Sequence, residues 1–273
     1  MDSTWSWATR PSSNLPGGGP VYPLSSPGVR LAVKPNDKWS LMVGVYNGDP
    51  AGADCTGDPQ VCDDNGLDFR LDSPPLLIAE VSYKYNQDGH LPGTVKIGVW
   101  NQFGNLHDQP GSATPTIAVT VNSVPIQGDW AIYGIVDQLV WPVPDSKDAK
   151  GIGLFGRVIG APTEQNLIDF YADGGITFSG IIPHRAYDTL GIGIAYTGIS
   201  SEAHDFEMGS GQPVRPTQEV LAEVCYTAQL KQGWTLQPDF QYIWQPGAGA
   251  TEPSSKGAVP NAAVWGLRTT INF

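Results

Sequence analysis

The sequence predicts an all-β chain, an antiparallel transmembrane β-barrel with about eleven strands, and three observations carry that prediction. The first is the last nine residues, where Trp265, Leu267, Thr269, Ile271 and Phe273 alternate with Gly266, Arg268, Thr270 and Asn272. Strand side chains alternate between faces, so one face is apolar with an aromatic at each end and the other is polar. Barrel strands in lipid have this character, an apolar band bracketed by aromatic girdles. The second is an alternation of short and long connections along the chain. The third is a charged fraction of 15%, below the roughly 25% of soluble domains. No apolar run approaches the ~20 residues of a helical span, and barrels hide their hydrophobicity by alternation.

The elements follow in order. A strand from Val29 to Lys34 turns through Pro35-Asn36-Asp37 into Trp39–Asn47. A long Gly/Asp/Cys loop runs to about residue 75, and Leu76–Asn86 then pairs through a short turn with Thr94–Gly104. Another long loop, 105–127, leads to Gly128–Trp141, and a short Pro/Asp/Lys turn leads to Gly151–Gly160. The connection 161–166 precedes Leu167–Ser179, which is followed by Thr189–Ser200, Thr217–Lys231 and, after the tight Gln232-Gly233 turn, Trp234–Gln245. The loop 246–260 precedes the terminal strand. With the C-terminus on the periplasmic side, the turns near 36, 88, 146, 183 and 232 are periplasmic and short, and the loops 48–75, 105–127, 201–216 and 246–260 are outside and longer, 161–166 being the one short connection outside. That asymmetry is the one expected of outer-membrane barrels. Residues 1–28 form an N-terminal loop or partial strand region ahead of barrel strands and loops over 29–273.

Composition narrows the function classes. The 33 Gly and 24 Pro among 273 residues would damage helices but suit turns. A net charge of −12, with no Lys/Arg cluster, leaves no nucleic-acid surface. Cys55 and Cys62 flank an exposed loop and form either a disulfide or two loop thiols, while Cys225 sits in a strand as a packing residue. His90, His107, His184 and His204 are scattered in turns and loops, with no metal-ligand spacing. No metal and no cofactor is expected. The start, Met1-Asp-Ser-Thr-Trp-Ser-Trp7, lacks the basic and apolar stretches of a signal peptide. An exported chain needs one, so further residues are expected upstream.

The strands also divide into faces. Val220, Ala222, Val224, Tyr226, Ala228 and Leu230 alternate with Glu219, Glu223, Thr227, Gln229 and Lys231. Trp234, Leu236, Phe240, Tyr242 and Trp244 alternate with Thr235, Gln237, Asp239, Gln241 and Gln245. Ile168, Phe170, Ala172, Ile176 and Phe178 alternate with Asp169, Tyr171, Asp173 and Thr177. Leu221, Cys225 and Ile243 fall on the polar rows. A dry core would not accept those charges unpaired, whereas a wet lumen does.

Long blocks of the chain resemble a known family. Ile132-Tyr-Gly-Ile-Val-Asp-Gln-Leu-Val-Trp141, Gly151-Ile-Gly-Leu-Phe-Gly-Arg-Val-Ile-Gly-Ala-Pro162, Asn166–Gly175, Asp188–Tyr196, Leu236–Ile243 and Asn261–Ile271 carry the resemblance, with Gly18–Leu24 and Pro27–Arg30 upstream. Over about residues 15–273 the chain is similar to the carbohydrate-selective porins of Gram-negative outer membranes, the OprB type. The resemblance implies a porin-type barrel of sixteen strands in the outer membrane, passing glucose-like sugars passively, with outer-membrane lipid around it. A homotrimer, and assembly machinery that reads the C-terminal strand ending at Phe273, are further expectations. Family members carry a signal peptide and further strands ahead of the matched region, so the eleven strands here correspond to the C-terminal portion of such a porin.

A porin needs no catalyst, only a polar path that replaces a sugar's hydration shell without tight holding. Inward candidates are Glu80, Lys84, Lys96, Trp100, Arg157, Asp169, Tyr171, Asp173, Glu219, Glu223, Asp239, Gln241 and Arg268. Each is weighed against a solvated wall residue paired across strands. Arg157 offers a rigid donor fork and Trp100 a stacking surface. Asp169/Asp173 and Glu219/Glu223 are each four residues apart on one face, ~13 Å between α-carbons, too far for either glycosidase mechanism. No catalytic residue is expected. Two other readings compete: a soluble, secreted sugar-binding β protein, which does not require apolar faces on nearly every strand, and a porin fragment inactive alone.

Overall fold

The computed structural model describes residues 11–21, 24–52, 54–55, 59–64, 69–87, 91–105, 127–144, 150–164, 166–201, 217–249 and 257–272. Eleven strands follow one another: β1 (Gly28–Val33), β2 (Trp39–Asn47), β3 (Pro75–Tyr85), β4 (Gly93–Asn105), β5 (Gln127–Pro142) and β6 (Gly151–Gly160), then β7 (Ile168–Ser179), β8 (Thr189–Ile199), β9 (Gln218–Lys231), β10 (Trp234–Trp244) and β11 (Ala262–Ile271). They form one sheet in sequence order, every strand antiparallel to the next. Among the described residues the sheet is open, with one side of β1 and one side of β11 unpaired.

The expected asymmetry of connections is present. The turns 34–38, 86–92, 143–150, 180–188 and 232–233 share one end, and the connections 48–74, 106–126, 161–167, 200–217 and 245–261 share the other. Local chemistry explains the tight ones. Asn36 Oδ1 accepts from the backbone N–H of Lys38 and Trp39, at 2.9 and 3.0 Å, an Asx turn that reverses the chain. Gln232-Gly233 is a two-residue hairpin loop needing positive φ, and Gly233 supplies +79° where a Cβ would meet the Asn272 carbonyl at 2.6 Å. In the turn before β8, burial alone would raise the Asp188 pKa. Bonds from the Tyr226 hydroxyl, the Gln229 N–H and Arg185 outweigh it and hold this carboxyl below the usual carboxylate range. On the loop side, Cys55 and Cys62 form a disulfide.

Register assigns the faces. Val29, Val45, Leu77 and Asn101 lie in one continuous row, as do Phe240 and Trp265 with Val224. This outer face is apolar and open, Trp265 being 79% and Leu267 71% exposed. Aromatic residues cluster at both of its ends. Trp39 packs against Tyr83 at 4.6 Å near the turns, and Phe170 against Tyr196 at 6.1 Å near the loops. Strand β10 begins on Trp234 and ends on Trp244, ~34 Å of strand, or roughly 26 Å along the axis at a ~40° tilt. That matches the height of a lipid-facing band.

Two buried clusters lie instead on the inner face. One cluster joins Ile168, Tyr171, Ala195 and Leu221, and a second joins Leu15, Leu76, Trp100 and Ala131. Leu15 comes from the N-terminal region, between short 3-10 turns at Pro11–Asn14 and Pro16–Gly18. Asn14 anchors it, donating to the Ile168 carbonyl at 2.7 Å and accepting from the Ile168 N–H at 3.1 Å. A segment far from these strands in sequence therefore rests across the inner wall.

Candidate inner-wall site

The inner rows hold three tiers of polar side chains. At the loop end Asp129 is 1% exposed, and its Oδ1 accepts from Asn166 Nδ2 and the Trp130 N–H, both at 2.7 Å. Gln102, its register partner on β4, donates to the Pro74 carbonyl at 3.0 Å. Glu219 accepts from the Gly247 N–H at 2.6 Å. These bonds tie connecting segments to the wall.

In the middle tier, charges are paired across neighbouring strands. Arg157 and Asp173 are register partners on β6 and β7, and the guanidinium binds the carboxylate through Nε, at 2.8 Å, and Nη2. Their side chains are 10% and 3% exposed, and the guanidinium stands 5.6 Å from the Tyr171 ring centroid. Tyr133 on β5 reaches over β4 and donates to Glu80 Oε2 on β3 at 3.0 Å. Gly98 makes that crossing feasible, since a Cβ there would lie 2.2 Å from the Tyr133 ring. Gln241 donates to Glu223 at 3.3 Å, again between register partners.

The turn end is open. A cavity of about 520 Å³ is lined by Lys34, Asn36, Asp37, Lys38, Ser40, Ser82 and Lys84, with Trp39 and Gln87 at its edge. A second cavity of about 460 Å³ shares Lys84 and Gln87 and continues past Thr94, Asp137, Phe155, Thr177 and Ser179.

Most inward candidates occupy the inner rows: Glu80, Lys84, Lys96, Arg157, Asp173, Glu219, Glu223, Asp239 and Gln241 by their strand partners. Arg268 lies opposite Gln237 on the edge strand β11 and is exposed. Three candidates are corrected. Asp169 is the extra residue of a bulge, because pairing passes from Ile168↔Ile199 to Phe170↔Gly198. The bulge turns its carboxylate outward, 3.5 Å from where a Gly198 Cβ would stand, and puts Ile168 inside, buried. Trp100 faces inward but is only 8% exposed in its cluster with Leu15, Leu76 and Ala131, so its ring offers no open stacking surface. Tyr171 is 1% exposed within its apolar cluster.

Sequence reasoning missed Tyr133, Asp129, Gln102 and Asn166. Parity along β5 marks Asp129, Tyr133 and Asp137 as one row; for Asn166, in a connection, alternation gives no signal. Among the described residues no three His, Cys, Asp or Glu side chains gather as a metal site. Of the four histidines only His184 is described, in a turn at positive φ. His90, His107, His204 and the terminal Phe273 lie outside the described residues.

The wall has recognisable relatives. Residues 2–273 match the model of the carbohydrate-selective porin, OprB family. Porin B of Pseudomonas aeruginosa is 24% identical over 272 residues, covering 92% of this chain and 56% of that protein. The high-pH structure of Pseudomonas putida OprB shares the fold with a TM-score of 0.70 at 20% identity, covering 92% of this chain and 60% of that one. The chain thus spans less than two thirds of each of these relatives.

Proposed function

The chain belongs to the carbohydrate-selective porin family, OprB family, and from that premise we propose that it forms the sugar-lined wall of a passive pore. It is an outer-membrane β-barrel chain, and its family is one of channels rather than enzymes. The observation that carries the proposal is the pairing of an outer face, apolar and aromatic-bracketed, with an inner face of polar and charged side chains, several of them bonded across strands. Lipid covers the first. Water and glucose-like sugars pass along the second, exchanging hydration for hydroxyl, amide and ammonium groups without tight binding.

The inner residues divide by role. Arg157, Asp173, Glu80, Glu223 and Gln241 hold the wall's shape, because each is bonded to a side chain on another strand. Lys84, Lys96, Ser82 and Thr94 meet the passing solute. Residues 11–21, resting on the inner face through Asn14 and Leu15, narrow the path. Association as a homotrimer and delivery by barrel-assembly machinery through the C-terminal strand remain part of the proposal, on family grounds.

The test is flux. Refolded chain in liposomes should let labelled glucose equilibrate without an ion gradient and leave disaccharides uncleaved. A gradient requirement or glycosidic cleavage overturns the reading. A second reading, favoured by the unpaired edges of β1 and β11, is a wall segment that conducts only with additional strands. Inserted sheet without flux, restored by co-refolding with the first half of a longer relative, would select that one.

A further inference from the structure

We propose that the turn end of the inner wall holds a binding site for acidic sugars, monosaccharides carrying a carboxylate, centred on Lys84. The site rests on the porin reading and deepens it by naming a substrate class. Although the chain carries a net charge of −12, the cavity of about 520 Å³ there presents Lys34, Lys38 and Lys84 against one carboxylate, Asp37. Its size falls within the roughly 300–1,000 Å³ of small-ligand sites. Arg157 pairs with Asp173 and Arg185 with Asp188. Neither involves these lysines.

The frame around the ammonium groups is fixed. The Lys84 N–H donates to the Lys38 carbonyl at 2.8 Å, and the Asn36 side chain pins the turn that carries Lys38. Ser40 and Ser82 are register partners, so their hydroxyls sit side by side on the inner rows, with Lys96 opposite Ser82 on β4. Lys84 stands where this cavity meets the second, which offers the hydroxyl and amide groups of Thr94, Gln138, Thr177 and Ser179 among glycines and apolar side chains, with Asp137 as its carboxylate. An acidic sugar would place its carboxylate among the lysines and its hydroxyl-bearing end toward Thr94 and Thr177. Asp137 disfavours the reverse orientation. Lysines bind as mobile, hydrated point charges rather than bidentate forks, which suits a site that must release its solute.

The full chain, refolded in lipopolysaccharide-free detergent, is titrated with glucuronate and with glucose by saturation-transfer NMR. Glucuronate should bind more tightly than glucose, and 1 M NaCl should erase the difference. Lys84→Gln should weaken glucuronate about two- to fivefold, the range of one exposed ion pair, and so shrink the ratio of glucuronate to glucose affinity, with Lys84→Arg retaining that ratio. If Lys84→Gln does not fold, Lys34→Gln/Lys38→Gln in the turn gives the same reading. Equal affinity for the two sugars, or a preference untouched by these changes, overturns the proposal. Glucose flux in liposomes is scored separately: its failure with the glucuronate preference intact removes the pore reading and leaves the site, and the converse removes the site alone.

Discussion

The middle and the turn end of the inner wall use the same residue types to opposite ends. Arg157 is enclosed, bonded to Asp173 and flanked by Tyr171, whereas Lys84 opens into two adjoining cavities. A charge on the polar face of a strand therefore has no role of its own. For these two the facing register position differs: Asp173 faces Arg157, while Thr94 faces Lys84.

That contrast is broken most severely by Asp173→Ala. Removing one partner of a buried pair leaves the other uncompensated, so about 3–5 kcal/mol of folded stability should be lost, read from urea unfolding in detergent. Arg157→Gln should act in the same direction and alter stability more than sugar flux. Unchanged unfolding in both variants would put the middle tier in the same class as the turn end.

Phe240→Arg tests the same height on the opposite face. Phe240 neighbours Gln241 but packs on Trp265 at 4.4 Å in the outer row, and a charge there should cost about 2–4 kcal/mol in lipid. Refolding yields into vesicles equal to wild type would remove the face assignment for β10.

Asp188 offers a smaller test at the turn end. Its folded pKa is lowered, so its stabilisation is complete above the ordinary 3.8 and fades as pH falls through the folded value. Asp188→Asn should lose roughly 1.5–3 kcal/mol, the scale of hydrogen bonds to a charged group. It should also flatten the decline in melting temperature below pH 4, measured by circular dichroism. Smallest of all, Lys84→Gln should change stability by less than about 0.5 kcal/mol, as for an exposed substitution. A loss approaching that of Asp173→Ala would mean that Lys84 is wall and not site.

The strands were legible because alternation is local. Gly128–Trp141 and Leu167–Ser179 were read within a residue of β5 and β7, and the apolar rows fell outside as expected. The bulge was not legible, since Asp169 and Asp173 keep perfect parity on paper and only the skipped partner between Ile199 and Gly198 breaks it. Nor was the burial of Trp100 in a cluster that includes Leu15, because packing across such a separation has no periodic signature. The Tyr133–Glu80 bond depends on the absence of a side chain at Gly98 on the strand between them, and Glu80 alone, without its partner, read simply as a solvated wall charge.

The open edges of β1 and β11 bear on how this sheet can enter a bilayer at all. Each edge exposes a row of backbone N–H and C=O groups, and hydrocarbon offers them nothing to bond, at several kcal/mol apiece. Inserting one strand at a time would pass through intermediates burdened by that whole row, however apolar the side chains. Membrane entry and the matching of the last edge must therefore be one kinetic event. A partner for each bare edge is as much a condition of membrane entry as the apolar outer face.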